Sequence, residues 1–248
     1  MALKLAILIT IATFCSGFVL LSGPQEAPLE ATIESPNVTF NVTGNFPVFD
    51  DKDKFLDGRY AALSDQDYWI QIIQEAIKSW NNVEGSWINI TLNTSPAAEP
   101  SQDSEDGIHS IVIASLNATS AAAAYPKIEN GKIIDCDILI GDQLKSSKDM
   151  AYALLHEMGH CLGLGHNHSH WQSVMGYSRS NRSLSLAADD MAGLIYLYPD
   201  ESASMPKELV SCGAVVGKKT NTAGLIWLLP LMTIALITIK NRFRSKSP

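Results

Sequence analysis

The sequence predicts an α+β domain that occupies about residues 38–200 of a 248-residue chain. One half of this interval is rich in short segments that alternate apolar and polar residues, as half-buried strands do. The other half is richer in stretches whose apolar residues recur every three or four positions, which is the period of a helix. Because the strand-rich and helix-rich halves are separate, an α+β arrangement around one core is expected.

Four segments are typical of strands. Residues 38–42 alternate apolar and polar side chains, and residues 86–92, 108–114 and 133–140 are rich in isoleucine and valine. The last of these follows Glu129-Asn130-Gly131, a group of turn-forming residues. The sequence therefore predicts at least one β-sheet, formed by these four strands.

Three segments are typical of helices. Residues 64–81 place apolar side chains at helical spacing, and Ser64 is a favourable start. A second helix is predicted to start near Ser146 or Ser147 and to end at about Cys161. A third is predicted over residues 186–197, just before a proline.

The charge of the chain argues against one class of partner. The formal net charge is -8, with only 18 lysines and arginines. Nucleic-acid binding is driven largely by basic residues that neutralise phosphates. We therefore expect no nucleic-acid partner.

The amino-terminal residues are typical of an export signal. Lys4 is followed by an apolar run that continues to Leu21, and we predict a signal peptide over residues 1–23. Cleavage is expected between Gly17 and Gly23, and the alternative is an uncleaved anchor helix. Residues 24–37 are rich in Pro and Glu and are predicted to be a flexible lead-in.

The carboxyl-terminal residues predict a membrane segment. Residues 223–239 contain no charged side chain and approach the shortest length that spans a bilayer. A basic tail follows over residues 240–248, and such tails stay on the cytoplasmic side. The domain at residues 38–200 and the linker, residues 201–222, are then expected outside the cytoplasm. The alternative is a sorting tail in which Cys212-Gly213 is the motif and the apolar helix is removed.

The segment HEMGHCLGLGH, residues 156–166, contains the chemistry-bearing side chains. On a helix, His156 and His160 lie about 40° apart around the axis and about 6 Å apart along it, so both imidazoles reach one ion. His166 reaches the same ion only if the chain turns back after Gly163, because a continuous helix would displace it by about 15 Å. The pattern predicts a metal site with three histidine ligands.

Three neutral imidazoles leave the fourth position of a tetrahedral zinc ion open for water, which is the arrangement of a catalytic site. Bound zinc makes that water more acidic, and a neighbouring carboxylate accepts its proton. Glu157 is beside His156 and is the candidate general base.

The chain resembles a known clan of zinc peptidases. The pattern HExxHxxGxxH followed by a methionine turn defines the metzincins, and Met175 lies in a segment, SVMGY, where that turn is expected. Within the clan the chain is most similar to the matrixins. Trp80 ends the first helix as theirs does, and residues 106–113, 131–140 and 187–199 resemble two of their strands and their final helix.

The resemblance implies a twisted mixed β-sheet packed on two long helices, with a further carboxyl-terminal helix. It also implies one zinc ion on the floor of a cleft and a protein or peptide substrate extended along an edge strand. Met175 would lie under the ligands without binding metal. Two features depart from the family: no cysteine-switch segment is expected, and an alanine run at residues 121–124 replaces the pattern that holds a structural zinc. Further structural ions are therefore left open.

Several other residues have competing interpretations. Tyr177 has the Met-x-Tyr spacing of metzincins in which the phenol approaches zinc, and the alternative is a packing residue. His168 and His170 are interpreted as loop histidines, because the motif already supplies three ligands. His109 is interpreted as a residue of the sheet.

A disulfide between Cys136 and Cys161 is predicted. An oxidising compartment permits it, and Cys161 points about 140° away from His156 around the helix. Such a bridge stabilises by roughly 3 kcal/mol in the chain-entropy account. The alternative is two buried free thiols.

The sequence thus predicts a membrane-tethered zinc endopeptidase of extracytoplasmic proteins. One alternative is a zinc-bearing binding module without turnover, although such relatives commonly lose the residue at the position of Glu157. A second is a membrane protein whose domain serves assembly.

Overall fold

The structure is a computed structural model that describes residues 18–22, 28–35, 37–42, 46–52, 54–96, 105–116, 121–167, 172–176, 184–200 and 202. The chain divides into two compact units, Met1–Ala214 and Val215–Pro248. All described residues belong to the first unit. The predicted membrane segment, residues 223–239, lies outside them. Within the described residues, every helix is too short or too polar to span a bilayer.

The described residues form eight strands and three α-helices. The strands are β1 Leu21–Ser22, β2 Pro28–Leu29, β3 Thr32–Ile33, β4 Asn37–Val42, β5 Asn89–Asn93, β6 Ser110–Ala114, β7 Ala122–Glu129 and β8 Lys132–Gly141. The helices are α1 Asp65–Asn81, α2 Ser147–Cys161 and α3 Ala188–Leu197, with a short 3-10 helix at Phe55–Gly58.

Six strands form one mixed sheet, and β1 and β2 form a separate antiparallel pair. Strands β3, β8, β6, β4 and β5 run parallel, whereas β7 is antiparallel to β8. Asn130 and Gly131 both have positive φ in the tight turn between β7 and β8. The mixed sheet with helices confirms the predicted α+β class.

Helices α1 and α2 pack together and are joined by hydrogen bonds from large buried side chains. Trp80 is fully buried, and its indole Nε1 donates to the carbonyl oxygen of Leu155 at 3.1 Å. At the other end of the pair, the Tyr68 hydroxyl donates to the Ser147 hydroxyl at 3.2 Å. Trp80 therefore positions the part of α2 that carries the first histidine of the motif.

Two parts of the chain differ from what the sequence predicts. Strand β7 was not predicted, because the alanines that begin it do not alternate in polarity. Within the interval expected to be a flexible lead-in, residues 28–35 form β2 and β3, and Ala31 is fully buried. Strands of two residues are too short to show a period, so the sequence pattern does not reveal them.

Candidate metal centre

Helix α2 places His156 and His160 on one face, one helical turn apart. Their ring centroids lie 4.8 Å apart with the ring planes perpendicular. The amino-terminal end of this helix is capped. The Ser146 hydroxyl accepts a hydrogen bond from the backbone N–H of Asp149, and the Asp51 carboxylate accepts one from the backbone N–H of Ser147. The start of this helix is therefore fixed by its own cap and by a contact with the distant residue Asp51.

The third histidine is delivered by a turn that begins at Gly163. This glycine has a φ of +94°, a conformation that side chains disfavour. A Cβ there would lie 2.3 Å from the carbonyl oxygen of Ala31, so the residue also allows a close backbone approach. The turn returns His166 to the helix, and its Nε2 lies 3.2 Å from Nε2 of His160.

The three predicted ligands are brought together. One ligand atom from each of His156, His160 and His166 lies within 4.8 Å of the others. Nδ1 of His156 lies 2.7 Å from the carbonyl oxygen of Val174, and Nδ1 of His160 lies 2.8 Å from that of Leu164. Because a carbonyl only accepts, each Nδ1 carries the proton, which leaves the Nε2 lone pair for a metal.

The electrostatics of the triad favour neutral rings. Burial lowers the pKa of His160 to about 3, with a further contribution from the neighbouring His156. Burial also lowers the pKa of His156. Neutral imidazole is the form that binds zinc, and three such nitrogens fit the donor set of a zinc centre.

Glu157 lies beside this cluster in a mostly apolar environment. Its side chain is only 8% exposed, and burial raises the pKa of its carboxyl group to about 7. A hydrogen bond from the backbone N–H of Ala124 in β7 acts in the opposite direction. Glu157 is thus held between the histidine helix and the edge strand, where it is able to exchange a proton near neutral pH.

Met175 packs under the histidine helix, as the resemblance implied. It is 2% exposed, and a Cβ added to Gly159 would lie 2.3 Å from its sulfur atom. The backbone N–H of Asn167 donates to the Met175 carbonyl oxygen at 2.8 Å. The methionine turn is therefore packed against α2 and bonded to the residue that follows His166.

Asp190 in α3 is a residue of the site that the sequence analysis missed. Its buried carboxylate accepts from the hydroxyl of Ser173 and from the backbone N–H groups of Val174, Met175 and Ala187. Three of these donors belong to the methionine turn, whose Val174 carbonyl orients His156. The acidic start of α3 indicated a helix terminus in the sequence, but nothing local indicated its contact with the turn.

The disulfide predicted between Cys136 and Cys161 is present, with sulfur atoms 2.02 Å apart. It joins β8 to the last residue of α2, next to His160. His109 lies outside the triad, with its ring 5.6 Å from that of Phe40, and burial lowers its pKa. Tyr177, His168 and His170 lie outside the described residues, so the interpretation of Tyr177 stays a prediction.

Three comparisons with known proteins bear on this site. The family model described as Matrixin matches residues 42–199, which include strands β5 to β8, the three α-helices and all of the histidine motif. Comparison with curated proteins finds no relative of this chain. A chain of the structure titled "GM1 bound form of the ECX AB5 holotoxin" has a TM-score of 0.42 and 11% identity over 74% of this chain and 87% of that one.

That structural likeness is too low to support any argument, whereas the family match covers more than half of the chain. The family implies zinc, and the histidine triad is a group able to hold it. The chain belongs to the matrixin family.

Proposed function

We propose that this matrixin is an active zinc endopeptidase that hydrolyses peptide bonds of extracytoplasmic proteins, with Glu157 as the general base. The observation that carries the proposal is the juxtaposition of three partly buried histidines that converge on one point with a buried carboxyl group whose pKa burial raises to about 7. A structural zinc centre needs a fourth protein ligand and no base, whereas this group supplies three ligands and a base.

His156 and His160 would hold the ion through Nε2, because their Nδ1 atoms face carbonyl oxygens, and His166 would complete the set. When bound, zinc supplies a Lewis acid that activates water for attack on a peptide carbonyl. Glu157 accepts a proton at its carboxylate and later donates it to the leaving amine. The Ala124 N–H holds the carboxylate toward β7, so that the proton is exchanged on the side of α2 that faces this strand.

The position of strand β7 favours a peptide as the substrate. Among the described residues, β7 pairs only with β8, so its other edge is available to an extended chain. An edge strand binds a peptide through main-chain hydrogen bonds. Because β7 also carries the N–H that holds Glu157, a peptide on this edge would lie next to the base and the triad.

The purified domain, assayed on an unfolded protein, tests the proposal. Cleavage that a zinc chelator stops and that added zinc restores is the expected result. The alternative is a zinc-bearing module without turnover, and one zinc per chain with no cleavage of any unfolded protein would favour it. The retained Glu157 supports the enzyme over this module.

Localisation is part of the proposal and rests on the sequence. The domain would lie outside the cytoplasm, with residues 223–239 in the membrane and the basic tail inside. Reporter fusions at Ser204 and Pro248 test this topology. A cytoplasmic reporter signal at Ser204 would contradict it.

A further inference from the structure

The turn that carries His166 is bonded to residues from the start of the chain. Leu20 forms an antiparallel bridge with Leu164. The N–H of Leu21 donates to the Gly163 carbonyl at 3.1 Å, and the N–H of Gly165 donates to the Val19 carbonyl at 2.8 Å. The turn thus has main-chain hydrogen-bond partners on both sides of Leu164.

Leu164 links this bridge to a metal ligand. Its side chain is 1% exposed, and its carbonyl oxygen is the partner of Nδ1 of His160. Residues 18–22 therefore support both the turn that delivers the third histidine and the carbonyl that orients the second. We call residues 18–22 the N-terminal strap.

Two glycines of the domain allow the strap to approach closely. A Cβ on Gly165 would lie 2.1 Å from the carbonyl oxygen of Leu20, and a Cβ on Gly193 in α3 would lie 3.1 Å from Cβ of Phe18. The Phe18 ring packs against Tyr196, with centroids 5.1 Å apart. These close approaches show that the domain accommodates the strap as part of its packing.

The strap lies inside the interval predicted to be the export signal. A cut after Leu20, or at any later bond up to Gly23, would remove the residues that bridge Leu164. A cut after Gly17 leaves them all in place. Signal cleavage favours small residues at the last and third-last positions, and Gly17 and Cys15 are both small.

A cut after Gly23 fits the signal less well. Leu21 would then occupy the third-last position, and Pro24 would follow the cut. The sequence preference and the contacts of the strap therefore agree on the same bond, and they are independent observations.

We propose that export processing hydrolyses the Gly17–Phe18 bond and that the strap stays on the mature domain, where it fixes the turn that carries His166. The exporting cell's signal peptidase and water are the co-reactants, and Phe18 gains a free α-amine. The proposal goes beyond the peptidase function and does not depend on turnover.

The cut is tested with the full chain, expressed in an exporting cell and purified from its membranes. Sequencing from the amino terminus, or mass spectrometry of the terminal peptide, identifies the first residue. A start at Phe18 is expected. A start at Leu20 or any later residue removes groups that bond the turn and refutes the retention of the strap, and any start other than Phe18 refutes the assigned bond.

The role of the strap is tested by a matched pair of substitutions, Leu20→Asp and Ser22→Asp. Leu20 packs against the core, whereas Ser22 is exposed, so both add the same charge to one strand but only the first disturbs the bridge. Zinc affinity is measured by competition with a chelating indicator. Leu20→Asp is expected to weaken zinc binding at least about tenfold, as loss of groups that orient ligands does. Ser22→Asp is expected to leave it within about twofold.

Thermal unfolding with and without zinc separates this role from general stability. A ligand raises the midpoint by an amount that depends on its affinity for the folded state. Leu20→Asp is therefore expected to reduce the rise that zinc produces. An equal loss with and without zinc, with zinc affinity unchanged, would refute the role in metal binding. Leu20→Ala provides the same readouts if Leu20→Asp does not fold, and neither assay involves peptide hydrolysis.

Discussion

Two turns complete the metal centre, and they are fixed in different ways. The turn at residues 163–165 is held by backbone groups of residues 19–21 and by two glycines that allow close approach. The methionine turn at residues 173–176 is held mainly by the carboxylate of Asp190, and its carbonyl oxygens also accept from the Tyr152 hydroxyl and the Asn167 N–H. Each turn presents a carbonyl oxygen to one ligand, Leu164 to His160 and Val174 to His156.

The difference shows which changes the centre tolerates. Backbone contacts depend little on side-chain identity, so the first turn is sensitive mainly to a Cβ where a glycine is required. The second turn depends on one side chain, so a single substitution removes most of its support. Zinc affinity should therefore respond to Asp190 strongly and to most residues of the strap weakly.

The largest effect is expected for Asp190→Ala. Four donors lose this acceptor, and of these the Met175 N–H keeps its hydrogen bond to the Ser173 hydroxyl. Each buried donor left without a partner costs about 1–3 kcal/mol. We predict a loss of at least about 3 kcal/mol in unfolding free energy. A weakening of zinc binding by about 10-fold to 100-fold is also expected, because His156 loses its orienting carbonyl. Urea unfolding and zinc competition measure both.

Asp189→Ala is the matched control for this change. It removes the same group from the same helical turn, but the Asp189 carboxylate accepts from the side chain of Asn167 and not from the methionine turn. A loss as large as that of Asp190→Ala would contradict the assignment of the turn to Asp190.

A smaller effect is expected for Gly163→Ala, which breaks the first turn. The residue has a φ of +94°, and the added Cβ meets the Ala31 oxygen at 2.3 Å, so the backbone must shift. We predict a loss of about 2–3 kcal/mol together with weaker zinc binding. Gly131→Ala is the control, because its φ is +75° but its nearest contact is at 3.7 Å. It should cost about 1 kcal/mol and leave zinc affinity unchanged.

The smallest effect is expected for Asp135→Asn on β8. It tests whether hydrogen bonding or burial decides how much a carboxylate contributes to the stability of the fold. Asp135 is 2% exposed, and within the part of the chain that the structure describes its Oδ1 has no hydrogen-bond partner. Burial raises the pKa of its carboxyl group. A raised native pKa means that stability is present below the unfolded value of about 3.8 and is lost as pH rises through the native pKa. Asp135→Asn is therefore expected to raise the unfolding midpoint slightly at pH 7.

The difference between wild type and Asp135→Asn should shrink as the pH falls toward 4, because the wild-type carboxyl group becomes neutral. Thermal unfolding of both proteins without zinc, at pH 7 and at lower pH, measures it. A midpoint for Asp135→Asn that is lower than wild type at pH 7 would show that Asp135 has a stabilising partner when charged.

Local patterns predicted the parts of the molecule that depend on local spacing. The three helices, strand β8 and the convergence of His156 and His160 follow from periods of a few residues. His166 was predicted because a glycine marks the turn. The disulfide was also predicted, because one cysteine precedes the helix on a strand and the other ends it.

The remaining features depend on contacts between distant segments. Strand β7 begins with alanines, which carry no alternation, and its place is set by pairing with β8. The strap has the composition of an export signal, so its bridge to Leu164 is visible only in the fold. Asp190 contacts a turn 15–17 positions away, and no short-range spacing connects the two.

The central claim is that three histidines bind zinc while Glu157 transfers the proton. The most direct measurement compares zinc content and hydrolysis of an unfolded protein in Glu157→Ala and His160→Ala. Glu157→Ala should keep one zinc per chain and lose at least about 10²-fold to 10⁴-fold in activity, as expected for a lost general base. His160→Ala should lose the metal and much of the domain's stability, because metal binding is coupled to folding. Near-normal hydrolysis by Glu157→Ala, or loss of zinc from that variant alone, would contradict the claim.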